Sequence, residues 1–298
     1  MGSRPSFAEL LVLEAAAGYA VGLLRIGRGS HDFTDTLIQA EVLHANAGRL
    51  RGDPRLQQMY ATFYAPPPDS LRRVAQAPGV ARNLGIPVEA VRRRVRRLAA
   101  EGVFDLNRRG ILFSERALRS EAHRILMEEV YALTRGLYLR LRRDGAIASM
   151  ALRPPKAGMP SSSAPPFRIV LRQAVDAFLA LARAFARSAG AIPDGFILME
   201  VIGGRMAAEA SLDGSAFASD LGLPLDVVRS GLAGLIAHGL LAESGGAAVA
   251  RGPSLDAERT EALATACHAA LASMLSALSE VGVLSHWDSE AQAEAEAA

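Results

Sequence analysis

The sequence predicts a mainly α-helical chain with small β-hairpin wings: two tandem winged helix-turn-helix domains with long flanking helices that form an intrachain pseudo-dimer. Three observations carry this expectation. The first is a self-repeat, in which Ala81-Arg-Asn-Leu-Gly-Ile-Pro-Val-Glu-Ala-Val-Arg recurs 137 residues later as Ala218-Ser-Asp-Leu-Gly-Leu-Pro-Leu-Asp-Val-Val-Arg. At the same offset Leu84, Gly85, Pro87, Val91, Leu98 and Gly102 fall on Leu221, Gly222, Pro224, Val228, Leu235 and Gly239, so one frame of helix, tight turn and helix is written twice. The second is that each copy leads into a short apolar strand pair, 103–113 and 240–249, and then a long amphipathic segment. The third is an uneven charge: residues 1–150 hold 23 Arg and 15 acidic residues, net +8, whereas residues 151–298 hold 9 Arg, 1 Lys and 16 acidic residues, net −6.

The elements follow in order. Residues 1–30 read as a packing or dimerisation helix, because the apolar run Leu10–Leu24 is broken by Glu14, preceded by Glu9, and shorter than the ~20 residues a membrane span needs. Residues 31–150 form the first, basic domain. Phe33–Arg49 has helical spacing, Pro54 suits a first helical turn in a helix running toward Tyr64, and Pro66-Pro67-Pro68 stops it. Leu71–Gln76 and Gly79–Leu84 read as helical pieces, and Pro87 opens the next helix. There Val91, Val95 and Leu98 make the buried stripe, with Gly102 as its stop. Asn107-Arg-Arg-Gly between two apolar triplets reads as a hairpin turn, and residues 115–143 as one long helix. Five prolines and three consecutive serines mark 151–166 as a linker. Residues 167–288 repeat the order as a second, acidic domain, and the Ala/Glu run 289–298 reads as a disordered tail.

The chemistry sits on the outer face of the helix after Pro87. Arginine can grip both guanine edges and phosphates, so Arg92, Arg93 and Arg96, with Val88 and Glu89 at the helix start, are candidate base readers. Arg82, Arg94 and Arg97, with the more distant Arg72 and Arg73, are candidate phosphate contacts, and Arg108 and Arg109 stand at the hairpin tip. The matching surface of the second copy offers only Arg229, Ser230 and Arg251 as weaker candidates.

With its Leu-Gly-Ile-Pro-Val-Glu-Ala-Val-Arg-Arg-Arg-Val-Arg-Arg-Leu run, the Glu-Gly that follows and the long outer helices, the chain resembles a tandem duplication of MarR-type winged helix-turn-helix regulators. The resemblance implies transcriptional regulation, with outer helices at a dimer interface and the second motif helix in the DNA major groove. The lead expectation is therefore a cytoplasmic, nucleoid-associated DNA-binding regulator. A protein-interaction scaffold of two winged domains and a ligand-sensing regulator are the alternatives. Expected partners are double-stranded DNA, a homodimer mate met through the N-terminal and long outer helices, and a small-molecule effector among His44, His123, Tyr131 and Tyr138; no membrane is expected. No catalysis, cofactor or metal is expected either, since the six histidines lack ligand spacing and Cys267 is the single cysteine.

Overall fold

The computed structural model describes residues 7–156, 165–204, 214–244, 247–249 and 256–297. These are mainly helical, with two antiparallel two-stranded sheets. The order is α1 (Phe7–Arg28), α2 (Phe33–Asn46), α3 (Pro54–Met59), α4 (Ala77–Leu84), α5 (Val88–Ala100), β1 (Phe104–Asn107), β2 (Gly110–Phe113), α6 (Glu115–Leu118), α7 (Glu121–Arg143), α8 (Phe167–Ala189), α9 (Ile192–Gly204), α10 (Gly214–Leu221), α11 (Leu225–Ala237), β3 (Ala242–Ser244), β4 (Ala247–Val249), α12 (Ala257–Glu280) and α13 (Val283–Ala297).

The backbone keeps the repeat register of the sequence. Shifted by 137 residues, the limits of α4 and α5 coincide with those of α10 and α11. Gly85 and Gly222, each at φ 66°, close the tight turns, where Ile86 N donates to Ala81 O and Leu223 N to Ala218 O, both at 3.1 Å. A side chain is strained at that left-handed φ, which explains glycine in both copies.

The chain divides into two compact units, and neither is one half of the sequence. One comprises Met1–Thr36, Leu139–Met150 and Phe178–Leu271; the other comprises Leu37–Tyr138, Ala151–Ala177 and Ala272–Ala298. These units do not follow the expected domain limits of 31–150 and 167–288. Each unit takes the helix-turn-helix of one half and completes it with two segments of the other half. The divisions fall within α2, α7, α8 and α12 and, once, at Met150/Ala151, where the Pro/Ser-rich stretch begins.

In the unit that contains α4 and α5, here the basic unit, Asp53 caps α3 by accepting from Arg55 N and Leu56 N at 2.9 and 3.2 Å. A short 3-10 turn, Asp69–Leu71, is followed by extended backbone where a helical piece was expected through Gln76. The reason is a β-bridge in which Ala75 and Ile111 exchange hydrogen bonds of 3.0 and 2.9 Å, lining this stretch along the hairpin. β1 and β2 pair from Phe104↔Phe113 to Asn107↔Gly110, with the two phenyl rings edge to face at 5.1 Å. The expected single helix over 115–143 is interrupted, since Ser120 Oγ accepts from His123 N at 3.2 Å and starts α7 afresh. The expected disordered tail is instead helical as far as Ala297. Trp287 is fully buried against Tyr131 and Tyr138, Tyr138 donates to Asp288 at 2.8 Å, and Arg135 pairs with Glu294 at 2.9 Å.

In the other unit α1 lies on α9, and the crossing is made at Gly18 and Gly203, where a Cβ on Gly203 would strike the backbone of Gly18. Arg25 ties the end of α1 to Glu200 at 2.7 Å and to Asp220 at 3.3 Å. α1 and α12 are long and apolar enough to cross a bilayer by length and composition. The apolar face of α1, including Val12, Ala16, Ala17, Ala20 and Leu24, is buried.

Candidate nucleic-acid interface

Helix α5 is thirteen residues long and strongly two-sided. Val91, Val95 and Leu98 are buried, at spacings of four and three, and Arg92, Arg93, Arg96 and Arg97 are all exposed on the opposite side. Arg92 and Arg96 form one row a turn apart, about 6 Å along the axis, and Arg93 and Arg97 a second row. Two of the four meet acids of their own helix end: Arg92 pairs with Glu89, and Arg97 approaches Glu101 at 3.9 Å. Both pairs lie at the surface, where such contacts are weak and exchange readily for a phosphate. Among the described residues no ion pair engages Arg82, Arg93, Arg96, Arg108 or Arg109, and all five are exposed. Val88 is half-buried and Glu89 exposed at the helix start.

The hairpin beside α5 is fixed by side chains that composition does not single out. Asn107 Oδ1 accepts from Arg109 N and Gly110 N at 2.8 and 3.1 Å, shaping the turn that carries Arg108 and Arg109. Gly110 has φ 141°, and a Cβ there would collide with Ala75 O. Asn46, buried at the end of α2, donates to Arg73 O at 2.8 Å and accepts from Phe113 N at 2.9 Å. Gln76 donates to Arg109 O. The hairpin is therefore held at its open end by α2 and near its tip by the extended stretch that precedes α4.

Most of the sequence-predicted cations are exposed, with two exceptions. Arg72 is buried, donates to Phe113 O at 2.5 Å and pairs with Asp69, so it supports the hairpin from within and does not face solvent. Arg94 is only half-exposed and already engaged with another group. Arg73 is exposed at the foot of α4, and Arg251 lies outside the described residues. Arg116, which sequence reasoning passed over, is exposed with its guanidinium beside Gly102 at the end of α5. The signal for it was present, since the segment after a hairpin runs back along the motif helix.

No family model, curated protein or solved structure matches the chain. The functional reading therefore rests on the geometry.

Helix α11 of the other unit shows what the same scaffold looks like without the cations. Val228, Leu232 and Leu235 are buried, and the exposed positions are Asp226, Arg229, Ser230, Ala233 and Ala237. Its Gly231 is buried against α9, where a Cβ would come within 2.6 Å of Asp194 Oδ1 and Ile197 Cδ1. Burial raises the Asp194 carboxyl above its ordinary range, against a smaller opposing pull from His238. Of the four residues expected to line an effector site, Tyr131 and Tyr138 share Trp287, and the two histidines have other neighbours. His44 meets Asp176 at 2.7 Å, Tyr131 packs edge to face on Phe167 and Trp287, Tyr138 donates to Asp288, and His123 borders a separate cavity. Burial pushes the Cys267 thiol up to about 12, which leaves it an inert core residue.

Proposed function

We propose that the basic unit binds duplex DNA as a winged helix-turn-helix, with α5 in the major groove and the β1–β2 hairpin as its wing, and that the chain is a transcriptional regulator working at the nucleoid. The observation that carries this reading is the exposure of Arg92, Arg93, Arg96 and Arg97 on the face of α5 opposite its buried stripe, with Arg108 and Arg109 at the adjoining hairpin tip. A helix of this length spans ~20 Å and fits a groove ~12 Å wide. Arg92, Arg93 and Arg96, with Val88 and Glu89, would face base edges; Arg82, Arg97 and Arg116 would take phosphates; the hairpin arginines would lie along the backbone or minor groove. Such contacts release counterions and supply affinity that needs no particular sequence.

The shared register of α4–α5 and α10–α11 supports reading the chain as a duplication of one winged unit, as the resemblance to MarR-type regulators implies. In this reading α11 contributes little phosphate affinity. The function is binding, with no reaction and no cofactor. The test is fluorescence anisotropy with an arbitrary duplex of about 25 base pairs across a salt series. Affinity that falls steeply with salt, and collapses in Arg92→Ala/Arg96→Ala protein that unfolds like the wild type, supports the reading. Binding that is absent at low salt, or indifferent to the double substitution, overturns it.

A further inference from the structure

We propose that the basic unit holds a small monovalent anion, the size of chloride or of a formate-type carboxylate, in a cavity ringed by Arg72, Arg168, Arg172 and His123. Arg168 and Arg172 sit one turn apart at the start of α8 and are buried, at 4% and 5% exposure; Arg72 is at 6%. Arg168 donates to Thr62 O at 3.0 Å, Phe63 O at 2.9 Å and Leu118 O at 2.8 Å. Arg172 reaches Tyr60 O at 3.2 Å and Gln57 O at 3.4 Å. Carbonyls satisfy hydrogen bonds but carry no net charge. Among the described residues neither guanidinium has a carboxylate within ion-pair distance, and Asp69, the partner of Arg72, is itself largely exposed. Asp176 draws on Arg172 from farther off, but its oxygen is bound by Arg51 and His44.

Buried charge without a counter-charge is costly, and the groups show it. Burial, then the neighbouring arginines, pulls Arg172 down to about 9 and Arg168 to about 10. Burial, reinforced by Arg168, holds His123 near 3 and so neutral. Three nitrogens of this ring, Nε of Arg72, Nε of Arg172 and Nε2 of His123, are buried with no hydrogen-bond partner. The cavity that these residues line together with Arg168 and Asn46 has a volume of about 30 Å³, and the rest of its lining is apolar, with Leu43, Ala47, Leu50 and Leu171 among it. That is room for one or two water-sized bodies. A water could accept from these donors but would leave the charge uncompensated; an anion of that size does both. The neutral Nε2–H tautomer of His123 adds a donor without adding charge.

The experiment uses the full chain and no nucleic acid, so it stands whether or not the basic unit binds DNA. Thermal unfolding is followed while sodium gluconate, whose anion is too bulky to enter, is replaced by sodium chloride or sodium formate at fixed total salt. The proposal expects a saturable rise in Tm of several degrees with at least one of them, and the anion that produces it distinguishes inorganic halide from carboxylate. Arg172→Met should erase the rise, and Arg93→Met on the exposed face should keep it. Should Arg172→Met fail to fold, Ala47→Val narrows the cavity without touching a charge and must erase the rise by itself. With wild-type protein alone, the NMR line of the responding anion should broaden and sharpen again on saturation. A Tm that does not respond to either anion, a response retained in Ala47→Val, or an unbroadened line overturns the proposal.

Discussion

Where they are buried, α5 and α11 carry matching residues: Val91 and Leu98 on one, Val228 and Leu235 on the other, each preceded by Gly and Pro in the same turn. Where they face solvent they part. Arg93, Arg96 and Arg97 correspond to Ser230, Ala233 and Gly234, and Arg94 corresponds to Gly231, which is pressed against α9. The interior residues are constrained by packing, whose loss costs several kcal/mol, whereas outward substitutions are nearly free in stability. Two helix pairs in the same register can therefore keep the same packing and differ in what they touch. DNA affinity should therefore follow the outward residues and stability the inward ones.

The sharpest way to break the comparison is to remove the cations from one copy and add them to the other. Arg92→Ala/Arg96→Ala should weaken binding to a preferred duplex by about 2–6 kcal/mol, and Arg82→Ala/Arg97→Ala should lower the salt slope by about 2, while Arg229→Ala/Ser230→Ala should leave both within error. Equal losses from the first and last pairs would mean that α11 also grips DNA. In the reverse direction, Ser230→Arg/Ala233→Arg should raise low-salt affinity for arbitrary duplex several-fold. The inward half of the comparison is tested by Leu98→Ala and Leu235→Ala. Each should cost about 2–5 kcal/mol in denaturant unfolding, because both side chains are fully buried.

The helix-turn-helix frame was legible because a turn that demands a left-handed residue shows as Gly, a first helical turn shows as Pro, and both recur at one offset. The outward face of α5 followed from helical period. What period cannot say is which partner covers an apolar stripe, so the exchange of segments between the two units stayed hidden, and only the division at Met150/Ala151 showed, as the start of a Pro/Ser-rich stretch. Buried arginines mislead in the same way. Arg72 reads as a phosphate contact from sequence, yet it turns inward, as Arg168 and Arg172 do, to bond main-chain carbonyls. For the tail the signal was present but under-weighted, since Ala and Glu favour helix and Glu290 and Glu294, four apart, meet Arg135.

A smaller effect separates the buried ring of the basic unit from its exposed face. His123 has a folded pKa near 3 against 6.5 unfolded, so as pH falls below 6.5 the unfolded chain takes up a proton that the folded chain refuses. Stability is then lost progressively down to about pH 3, at most about 1.4 kcal/mol per pH unit. Between pH 6.5 and 5 the wild type should lose about 1–2 kcal/mol more than His123→Gln in urea unfolding. Equal pH slopes would place the imidazole in contact with water.

The smallest expected effect tests what Glu89 does. It pairs with Arg92 at the start of α5, and the two are exposed, at 73% and 46% for their side chains. If the carboxylate only screens Arg92, Glu89→Ala removes one negative charge near the phosphates and raises affinity for every duplex alike, by a factor of a few at low salt. If it accepts from a cytosine amine, the same substitution lowers affinity for a preferred sequence by about 1–3 kcal/mol and leaves arbitrary duplex unchanged or slightly tighter. Stability should move by well under 1 kcal/mol in either case, since the pair is fully at the surface. A sequence-independent gain would assign base reading on α5 to its arginines; a sequence-dependent loss would add Glu89 to them.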